Sequence, residues 1–381
     1  AGVYAAEGDG ALQALTPPPA PARQTLGPAL AAAVGRCADS SVAAALSLSG
    51  GIDSSCLAAE LAAQGRRLPA YQFCATGQPE HERAIAARVA GHCGLQLCPV
   101  EAGPELLEAL PALTAAYGMP LGDPSVLAVH AVAMAAARDG ARVMLSGEGA
   151  DELLLGYSRH RAMRWLPRRG LPWRLGPRWS MGRAARSLRA AVAAEPYHEL
   201  LSVTPPAFRE EVLAPELANA TLPDGGPGEP LERARSLDKA FYLRWDLLPK
   251  LDVATMAAGV EGRCPFLDPA VRAACDELAP RQVLGKQPLR ERYRDQLPEQ
   301  VFAQRKRGFS LPLDEWFRAE LGSLDLLREQ RTLQRPHLRP NGLAKAIDLH
   351  RRGRVNLGHA LYLVVAHEWH LRCEEEARRC A

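Results

Sequence analysis

A glycine-rich turn between an apolar segment and a helix-like segment is the feature that most constrains the fold of this chain. Residues 42–48 are apolar and predict a buried parallel strand, the turn reads Ser49-Gly-Gly-Ile-Asp-Ser-Ser55, and residues 56–63 predict a helix. Backbone N–H groups at such a turn point outward, and the dipole of the following helix favours negative charge. Two glycines let an anion approach the backbone closely. The turn therefore predicts a phosphate-binding loop.

The polar side chains of this turn add to the prediction. Ser49, Ser54 and Ser55 supply hydroxyl donors, and Asp53 is a hard oxygen ligand of the kind that Mg²⁺ prefers. The loop differs from the kinase-type phosphate loop, since no Gly-Lys-Ser/Thr follows at the required spacing. The alternative is a Gly-rich turn after a strand that binds no ligand.

Segments typical of strands and of helices alternate along the first part of the chain. Strand-like segments after the first one lie at 68–75, 95–100 and 141–145, and helix-like segments lie at 26–34, 81–92, 104–117 and 126–138. This alternation favours an α/β fold with a doubly wound parallel sheet. Ligands of such sheets bind at the carboxyl ends of the strands, so the loops 49–54 and 146–151 are expected to share one crevice.

The strand signals fade after Tyr157, and helical periodicity continues to the end. We predict one unit over 26–381, with an α/β core at 26–157 and a mainly helical half at 158–381. Residues 1–25 are small, apolar and rich in proline, and they predict an extended linker or the tail of an absent N-terminal domain.

Composition excludes several classes of protein. The formal net charge of +3 gives no global electrostatic case for binding nucleic acid or a membrane. No apolar run approaches the roughly 20 residues needed to span a bilayer, and no secretory signal is visible, so we expect a cytoplasmic protein. Nine cysteines form no CxxC pair, and His92, Cys93 and Cys98 fit no zinc spacing. Reduced thiols are the expectation.

The stretch 159–189 holds ten arginines and three tryptophans. Interleaved Arg and Trp residues can bind nucleic acid or an acidic peptide. We favour a helical insertion with a solvated basic face.

A second motif, Ser146-Gly-Glu-Gly-Ala-Asp-Glu-Leu-Leu-Leu-Gly-Tyr157, identifies a family resemblance. Together with the first loop it resembles the synthetase domain of the asparagine synthase family, within the PP-loop ATP-pyrophosphatase superfamily. That family also includes β-lactam synthetases and lasso-peptide macrolactam cyclases. The resemblance extends over residues 26–372. Further matching segments lie at 123–125, 250–252, 261–268, 305–309, 312–316 and 367–369.

The resemblance implies the adenine nucleotide α-hydrolase-like fold, with ATP as a substrate and Mg²⁺ as its counterion. Asp53 and Asp151 match the Mg²⁺-binding carboxylates, although Asp151 could instead cap a helix. Lys306 matches the catalytic lysine and Lys286 a pyrophosphate-side lysine, and either could instead be a surface lysine. The residues expected to contact ATP or pyrophosphate are Leu48, Ser49, Gly50, Gly51, Asp53, Ser54, Ser55, Phe73, Gly147 and Lys286.

The resemblance also bears on the nucleophile. In asparagine synthases a Glu at the position of Glu148 is thought to attract and deprotonate ammonia. β-Lactam synthetases have Tyr there, working with an acidic residue that would align near Asp252. Glu148 therefore favours an AMP-forming ligase that adenylates a carboxylate and makes an amide with ammonia. The alternative for Glu148 is a loop carboxylate bonded to backbone N–H groups.

Departures from the family pattern keep other functions open. Glutamine-hydrolysing members begin with an amidotransferase domain and a nucleophilic Cys, whereas the first Cys here is Cys37 and we expect no such domain before Leu26. A glutaminase or other ammonia-supplying partner is one expectation. The other is an amine within the substrate, as in macrolactam closure of a precursor peptide or in β-lactam formation. Gly262 replaces a larger residue and leaves the pocket for the small-molecule or peptide carboxylate open. An RNA-modifying PP-loop enzyme and a non-catalytic module are weaker alternatives.

Overall fold

The computed structural model describes residues 4–6, 12–14, 24–76, 80–164, 179, 189–190, 193, 196–218, 223, 225–303, 311–319 and 322–380. Lys306 and most of the Arg/Trp-rich stretch lie outside these residues.

A five-stranded parallel sheet forms the centre of the molecule. Its strands are β3 (Ala44–Ser47), β4 (Ala70–Ala75), β5 (Leu97–Ala102), β6 (Val143–Leu145) and β7 (Glu261–Arg263). They lie in the order β5-β4-β3-β6-β7, and every neighbouring pair is parallel. The order places β3 in the middle with β4 and β6 on either side. The predicted α/β class and doubly wound parallel sheet are confirmed.

Alternate residues of the central strands enter two hydrophobic cores. On β6, Val143 and Leu145 belong to one core and Met144 to the other. β3 divides in the same way, with Leu46 in the first core and Ala45 in the second. Because successive side chains of a strand point to opposite faces, both faces of the sheet are covered by helices. All residues of these two strands are buried, which explains their continuous apolar sequence.

The helices fill the two faces and the second half of the chain. The α-helices are α1 (Leu26–Ala38), α2 (Ile52–Ala63), α3 (Glu80–Cys93), α4 (Leu110–Tyr117), α5 (Ser125–Arg138), α6 (Ala150–Leu153), α7 (Ser158–Met163), α8 (Pro196–Leu201), α9 (Pro206–Val212), α10 (Pro215–Ala218), α11 (Pro230–Leu237), α12 (Leu248–Met256), α13 (Pro269–Asp276), α14 (Pro280–Val283), α15 (Gln287–Tyr293), α16 (Gln300–Ala303), α17 (Leu313–Arg318), α18 (Gln330–Leu333), α19 (Pro340–Arg351) and α20 (Gly358–Cys380). Segments of 3₁₀-helix lie at Pro104–Ala109, Pro265–Leu267 and Gly322–Arg328, and a π-helix spans Asp238–Leu247. Within the part of the chain described here, no helix has the length and apolar character needed to cross a bilayer.

Two features of the fold differ from the sequence predictions. The strands of the sheet do not end before Tyr157, because β7 at Glu261–Arg263 completes the sheet edge beside β6. Within the segment predicted as an extended linker, Tyr4–Ala6 (β1) and Leu12–Ala14 (β2) pair as antiparallel strands. The proposed division of the chain at residues 25 and 157 stays a prediction.

Candidate active site

The Gly-rich loop leads directly from the central strand into α2. Leu48 is fully buried at the end of β3, and α2 begins at Ile52 with Gly51 as its N-cap. The loop holds its shape through its serines: Ser54 Oγ accepts from the backbone N–H of Ser49 at 3.2 Å and lies 3.2 Å from Ser49 Oγ. Asp53, Ser54 and Ser55 therefore stand in the first helical turn, where free N–H groups favour an anion.

Two glycines bring this loop against its neighbours. Gly50 has φ +78°, and a Cβ there would meet the backbone N of Ala86 at 2.8 Å. Gly147 follows β6, and a Cβ there would lie 2.9 Å from Cβ of Asp53. The carboxyl ends of β3 and β6 thus place the two predicted loops in direct contact, as the shared-crevice prediction requires.

Lys286 lies between the two carboxylates that were predicted as metal ligands. Its Nζ is 2.5 Å from Oδ2 of Asp53 and 2.7 Å from Oδ1 of Asp151. The side chains of Lys286 and Asp151 are 5% and 8% exposed, so the ion pairs are largely shielded from water. We call Lys286, Asp53 and Asp151 the Lys286 cluster. Three residues from distant parts of the sequence, each chosen from a motif, meet at one point.

The backbone around Lys286 explains how the lysine reaches this position. Lys286 has φ +62° and ψ +35°, a left-handed conformation that is unusual for a residue with a side chain. The N–H of Lys286 donates to the carbonyl of Leu154 at 3.1 Å, and the N–H of Gly285 donates to that of Leu155 at 2.9 Å. These bonds fasten the turn before α15 to the end of the second motif.

Gly156 completes the packing of the cluster. A Cβ at this position would lie 2.0 Å from Oδ1 of Asp151 and 2.1 Å from Cε of Lys286. A side chain would therefore displace both charged groups. The glycine in the Leu-Gly-Tyr end of the second motif is needed for close approach.

The donor set of the Lys286 cluster fits a hard divalent cation held together with phosphate oxygens. Oδ1 of Asp53 and Oγ of Ser55 are buried and have no hydrogen-bond partner among the residues described. Such oxygens are free to accept from water, a ligand or an ion. No three His, Cys, Asp or Glu side chains form a metal-binding group in the described ranges. Mg²⁺ is commonly held by one or two carboxylates plus substrate phosphates, which matches this pair.

A second buried lysine, Lys250, lies next to Glu148. Nζ of Lys250 is 3.1 Å from Oδ2 of Asp123 and 3.5 Å from Oε1 of Glu148, and its side chain is 6% exposed. Burial alone would lower the pKa of Lys250, but Asp123, Glu148 and Asp246 raise it above the ordinary lysine value. We call Lys250, Asp123, Glu148 and Asp246 the Lys250 cluster. Its lysine is charged at neutral pH.

The acids of this cluster respond differently to their surroundings. Burial would raise the pKa of Asp123, but the Lys250 ammonium and the N–H of Ser125 bring it below its usual value. Burial and then the charge of Asp123 raise the pKa of Asp246 to about 7. One ammonium therefore faces more than one carboxylate, and Asp246 is only partly ionised at neutral pH.

Glu152, four residues after Glu148 and within α6, extends this acidic region. It is 1% exposed, and the Tyr157 hydroxyl donates to its Oε1. Burial, opposed by that hydrogen bond, raises the pKa of Glu152 to about 7, and the charge of Glu148 adds to the rise.

The start of the Arg/Trp-rich stretch belongs to the structural support of the site. Nη2 of Arg159 is 3.0 Å from Oδ2 of Asp238, and Nε2 of His160 is 2.7 Å from the same oxygen. This joins α7 to the first residue of the π-helix. At the other end, Nε of Arg189 pairs with Oε1 of Glu199 at 2.5 Å. These two arginines are ion-paired and only 14% and 11% exposed, so they do not belong to the solvated basic face that was predicted for the stretch.

Two further predicted residues occupy less decisive places. The side chain of Phe73 is 8% exposed and packs in the hydrophobic core on one face of the sheet, so an adenine contact there would use its backbone. Asp252 is exposed on α12. Residues two apart on a helix face different directions, so Asp252 points away from the side on which Lys250 meets Glu148. Lys306 lies outside the described residues.

The sequence analysis assigned no role to Lys250, Asp123 or Asp246. Lys250 and Asp123 stand in segments that matched the family, so their positions were visible although their pairing was not. Asp246 had no signal, because its environment depends on the π-helix.

Comparisons with known proteins agree on one family. A family model described as asparagine synthase matches residues 25–371. A putative glutamine-hydrolysing asparagine synthetase of Mycobacterium bovis is 31% identical over 301 residues, which are 71% of this chain and 45% of that protein. The glutamine-hydrolysing asparagine synthetase 1 of Bacillus subtilis is 26% identical over 311 residues, 75% of this chain and 49% of that protein. The chain thus spans about half the length of these curated relatives.

Proposed function

The chain belongs to the asparagine synthase family, and from this premise we propose that it is an ATP-dependent, AMP-forming ligase. It activates a substrate carboxylate as the acyl-adenylate, releases pyrophosphate and forms an amide with ammonia.

The proposed reaction overcomes the poor leaving group of a carboxylate. A carboxylate oxygen attacks the α-phosphorus of ATP, and the bond to the β-phosphate oxygen breaks with release of pyrophosphate. Ammonia then attacks the acyl carbon, AMP leaves with the bridging oxygen, and the nitrogen loses a proton. The first step concentrates negative charge on the phosphates, and fixed positive groups aimed at such charge supply a large part of catalysis.

The observation that carries the proposal is the Lys286 cluster. The ammonium of Lys286 lies 2.5 Å from the carboxylate of Asp53 and 2.7 Å from that of Asp151. The two carboxylates follow adjacent parallel strands, beside an anion-binding turn. Asp53 and Asp151 would hold Mg²⁺, which when bound offsets the charge of the phosphates. Lys286 would contact the pyrophosphate side. Lys306 is proposed as a second cation on the basis of its motif.

The Lys250 cluster supports ammonia as the nucleophile. Glu148 follows β6 on the same loop as Asp151, so it lies at the crevice where the acyl-adenylate would form. Carboxylates outnumber the ammonium in this cluster. The local excess of negative charge favours an ammonium ion or a protonated amine over an anion.

The proposal is tested by product analysis with Mg-ATP and aspartate, with ammonium or glutamine added separately. AMP, pyrophosphate and ammonium-dependent asparagine are expected. Turnover with glutamine only after adding a glutaminase would indicate an ammonia-supplying partner. Absence of AMP formation with aspartate, in protein that binds Mg-ATP, would reject the asparagine assignment and direct the search to carboxylates that carry their own amine.

Glu148→Gln tests the role of the carboxylate. We expect at least a tenfold loss of amide formation with ammonium, because the variant removes the charge that attracts the nucleophile. Glu374→Gln, an exposed residue of α20, is the matched control and should leave turnover unchanged. Unchanged amide formation in Glu148→Gln would show that the proposed role is wrong.

A further inference from the structure

Lys250 is a buried cation without a role in the reaction described so far. It lies on α12, is 5% exposed, and its ammonium is 3.1 Å from Asp123 and 3.5 Å from Glu148. Burying an unpaired ammonium is strongly unfavourable, so the paired carboxylates are needed to keep it there. The same contacts constrain the carboxylates.

The two partners of Lys250 are held unequally. Oδ1 of Asp123 accepts from the N–H of Ser125 at 2.9 Å at the start of α5, and Oδ2 accepts from Nζ of Lys250 at 3.1 Å. Asp123 therefore anchors the ammonium to a backbone that is itself fixed. Glu148 is 3.5 Å from Nζ, and its side chain is 18% exposed. The Asp123 side chain is 20% exposed, so both carboxylates reach the surface of the site while the Lys250 side chain, 6% exposed, lies beneath them.

The remaining charges around Lys250 would push Glu148 away if the lysine were absent. Asp123 and Asp246 both lie close enough to interact electrostatically with Lys250, and Glu148 interacts with Asp246. Without the ammonium, three acidic side chains would share a poorly solvated space. Like charges in such a space repel strongly.

We infer that Lys250 is a positioning residue, anchored by Asp123, that holds the Glu148 carboxylate at the site of amide formation. The inference rests on the proposed function. It assigns Lys250 to the second half-reaction, the attack of the amine, and not to the release of pyrophosphate.

The pairing itself is tested without any substrate. Melting temperatures are measured for Lys250→Met, Glu148→Gln and the double variant. If the pair exists in solution, the double variant should lose clearly less than the sum of the two single losses, because Lys250→Met already removes the partner of Glu148. Additive losses would overturn the inference, whatever the enzyme takes as substrate.

The role is tested by separating the two half-reactions. ATP–pyrophosphate exchange is measured with aspartate first and then with other carboxylic acids, and amide formation is measured against ammonium concentration. For Lys250→Met we expect exchange within threefold of the wild type and a rise of tenfold or more in KM for ammonium. Lys250→Arg should recover part of this loss, because the guanidinium restores the charge.

Lys239→Met is the matched control, since Lys239 also pairs with a carboxylate, Asp276, at 2.5 Å but near the surface. It should change neither half-reaction. Equal losses of exchange and amide formation in Lys250→Met, without recovery in Lys250→Arg, would show a merely structural role. Failure of the wild type to exchange with any acid would instead count against the proposed function, and the melting experiment would still decide the pairing.

Discussion

Two buried lysines in this molecule each join two carboxylates, but they do so in different settings. In the Lys286 cluster the ammonium is 2.5 and 2.7 Å from the two carboxylate oxygens, and neighbouring glycines allow this close packing. In the Lys250 cluster the distances are 3.1 and 3.5 Å, and Asp246 adds a third acid. The Lys286 cluster is thus closely packed, whereas the Lys250 cluster has longer ion-pair distances and an excess of negative charge.

This difference corresponds to the charge of the ligand that each cluster would bind. The Lys286 cluster adjoins an anion-binding turn, so its ammonium and its carboxylates suit phosphate and metal respectively. The Lys250 cluster contains more carboxylates than ammonium groups, and its uncompensated carboxylates suit an incoming cation. A single crevice can thereby separate a phosphate side from an amine side by the local balance of fixed charges.

The largest effect that would break the comparison is expected from Gly156→Ala. The new methyl group would lie within 2.1 Å of both Oδ1 of Asp151 and Cε of Lys286, so these charged ends must move apart. Because the atoms displaced belong to flexible side chains, the fold should persist while pyrophosphate release falls by about 100-fold or more, as for other losses of charge stabilisation.

Gly91→Ala is the control for that experiment. A Cβ on Gly91, in α3, meets nothing within 4 Å, so stability should hold or rise slightly. Circular dichroism and melting would verify folding, and pyrophosphate release would be followed by a coupled assay. Normal release in Gly156→Ala would mean that the tight packing of the Lys286 cluster has no catalytic importance.

The next effect concerns the cation that occupies the Lys286 cluster. Lys286→Met removes the ammonium and leaves two carboxylates facing each other. We expect Mn²⁺, measured by electron paramagnetic resonance without nucleotide, to bind about tenfold more tightly than to wild type, since about 1.4 kcal/mol of added attraction gives that factor.

Turnover should nevertheless fall in Lys286→Met, because the pyrophosphate side loses a positive group. Lys239→Met removes one positive charge elsewhere and should bind Mn²⁺ like the wild type. Weaker Mn²⁺ binding in Lys286→Met would show that the lysine supports the metal site and does not compete for it.

The motifs predicted much of the Lys286 cluster because its parts are local signals. A Gly-rich turn after an apolar strand specifies both a conformation and a position at the sheet edge, and Asp53 and Asp151 each follow such a strand. The start of α2 was less predictable. The helix begins at Ile52 and not near Cys56, because Gly51 serves as its N-cap and the serines close the first turn.

Other parts of the site depend on distant contacts that leave little local signal. β7 has the sequence Glu-Gly-Arg, with no apolar alternation, and becomes a strand through pairing with β6. The π-helix at Asp238–Leu247 is held at its first residue by Arg159 and His160, which lie some eighty positions earlier. The Lys250 cluster was hard to predict for the same reason, since Lys250 lies on α12, which directly follows that π-helix.

The smallest expected effect is on the pH dependence of stability, and it tests the charge difference between the two clusters at Asp246. Burial and Asp123 raise its pKa to about 7 in the folded protein, above the ordinary value of 3.8. At a pH between these two values, Asp246 keeps its proton in the folded state and has released it in the unfolded state. The free energy of unfolding therefore falls as the pH rises through this window.

Asp246→Asn cannot ionise and avoids that loss. The variant should melt a few degrees above the wild type at pH 8, and this advantage should shrink toward pH 5. Asp252→Asn, exposed on the adjacent helix, should show a flat difference over the same range. A flat difference for Asp246→Asn as well would mean that burial and Asp123 do not raise the pKa of Asp246, and the repulsion among acids that distinguishes the amine side would be absent.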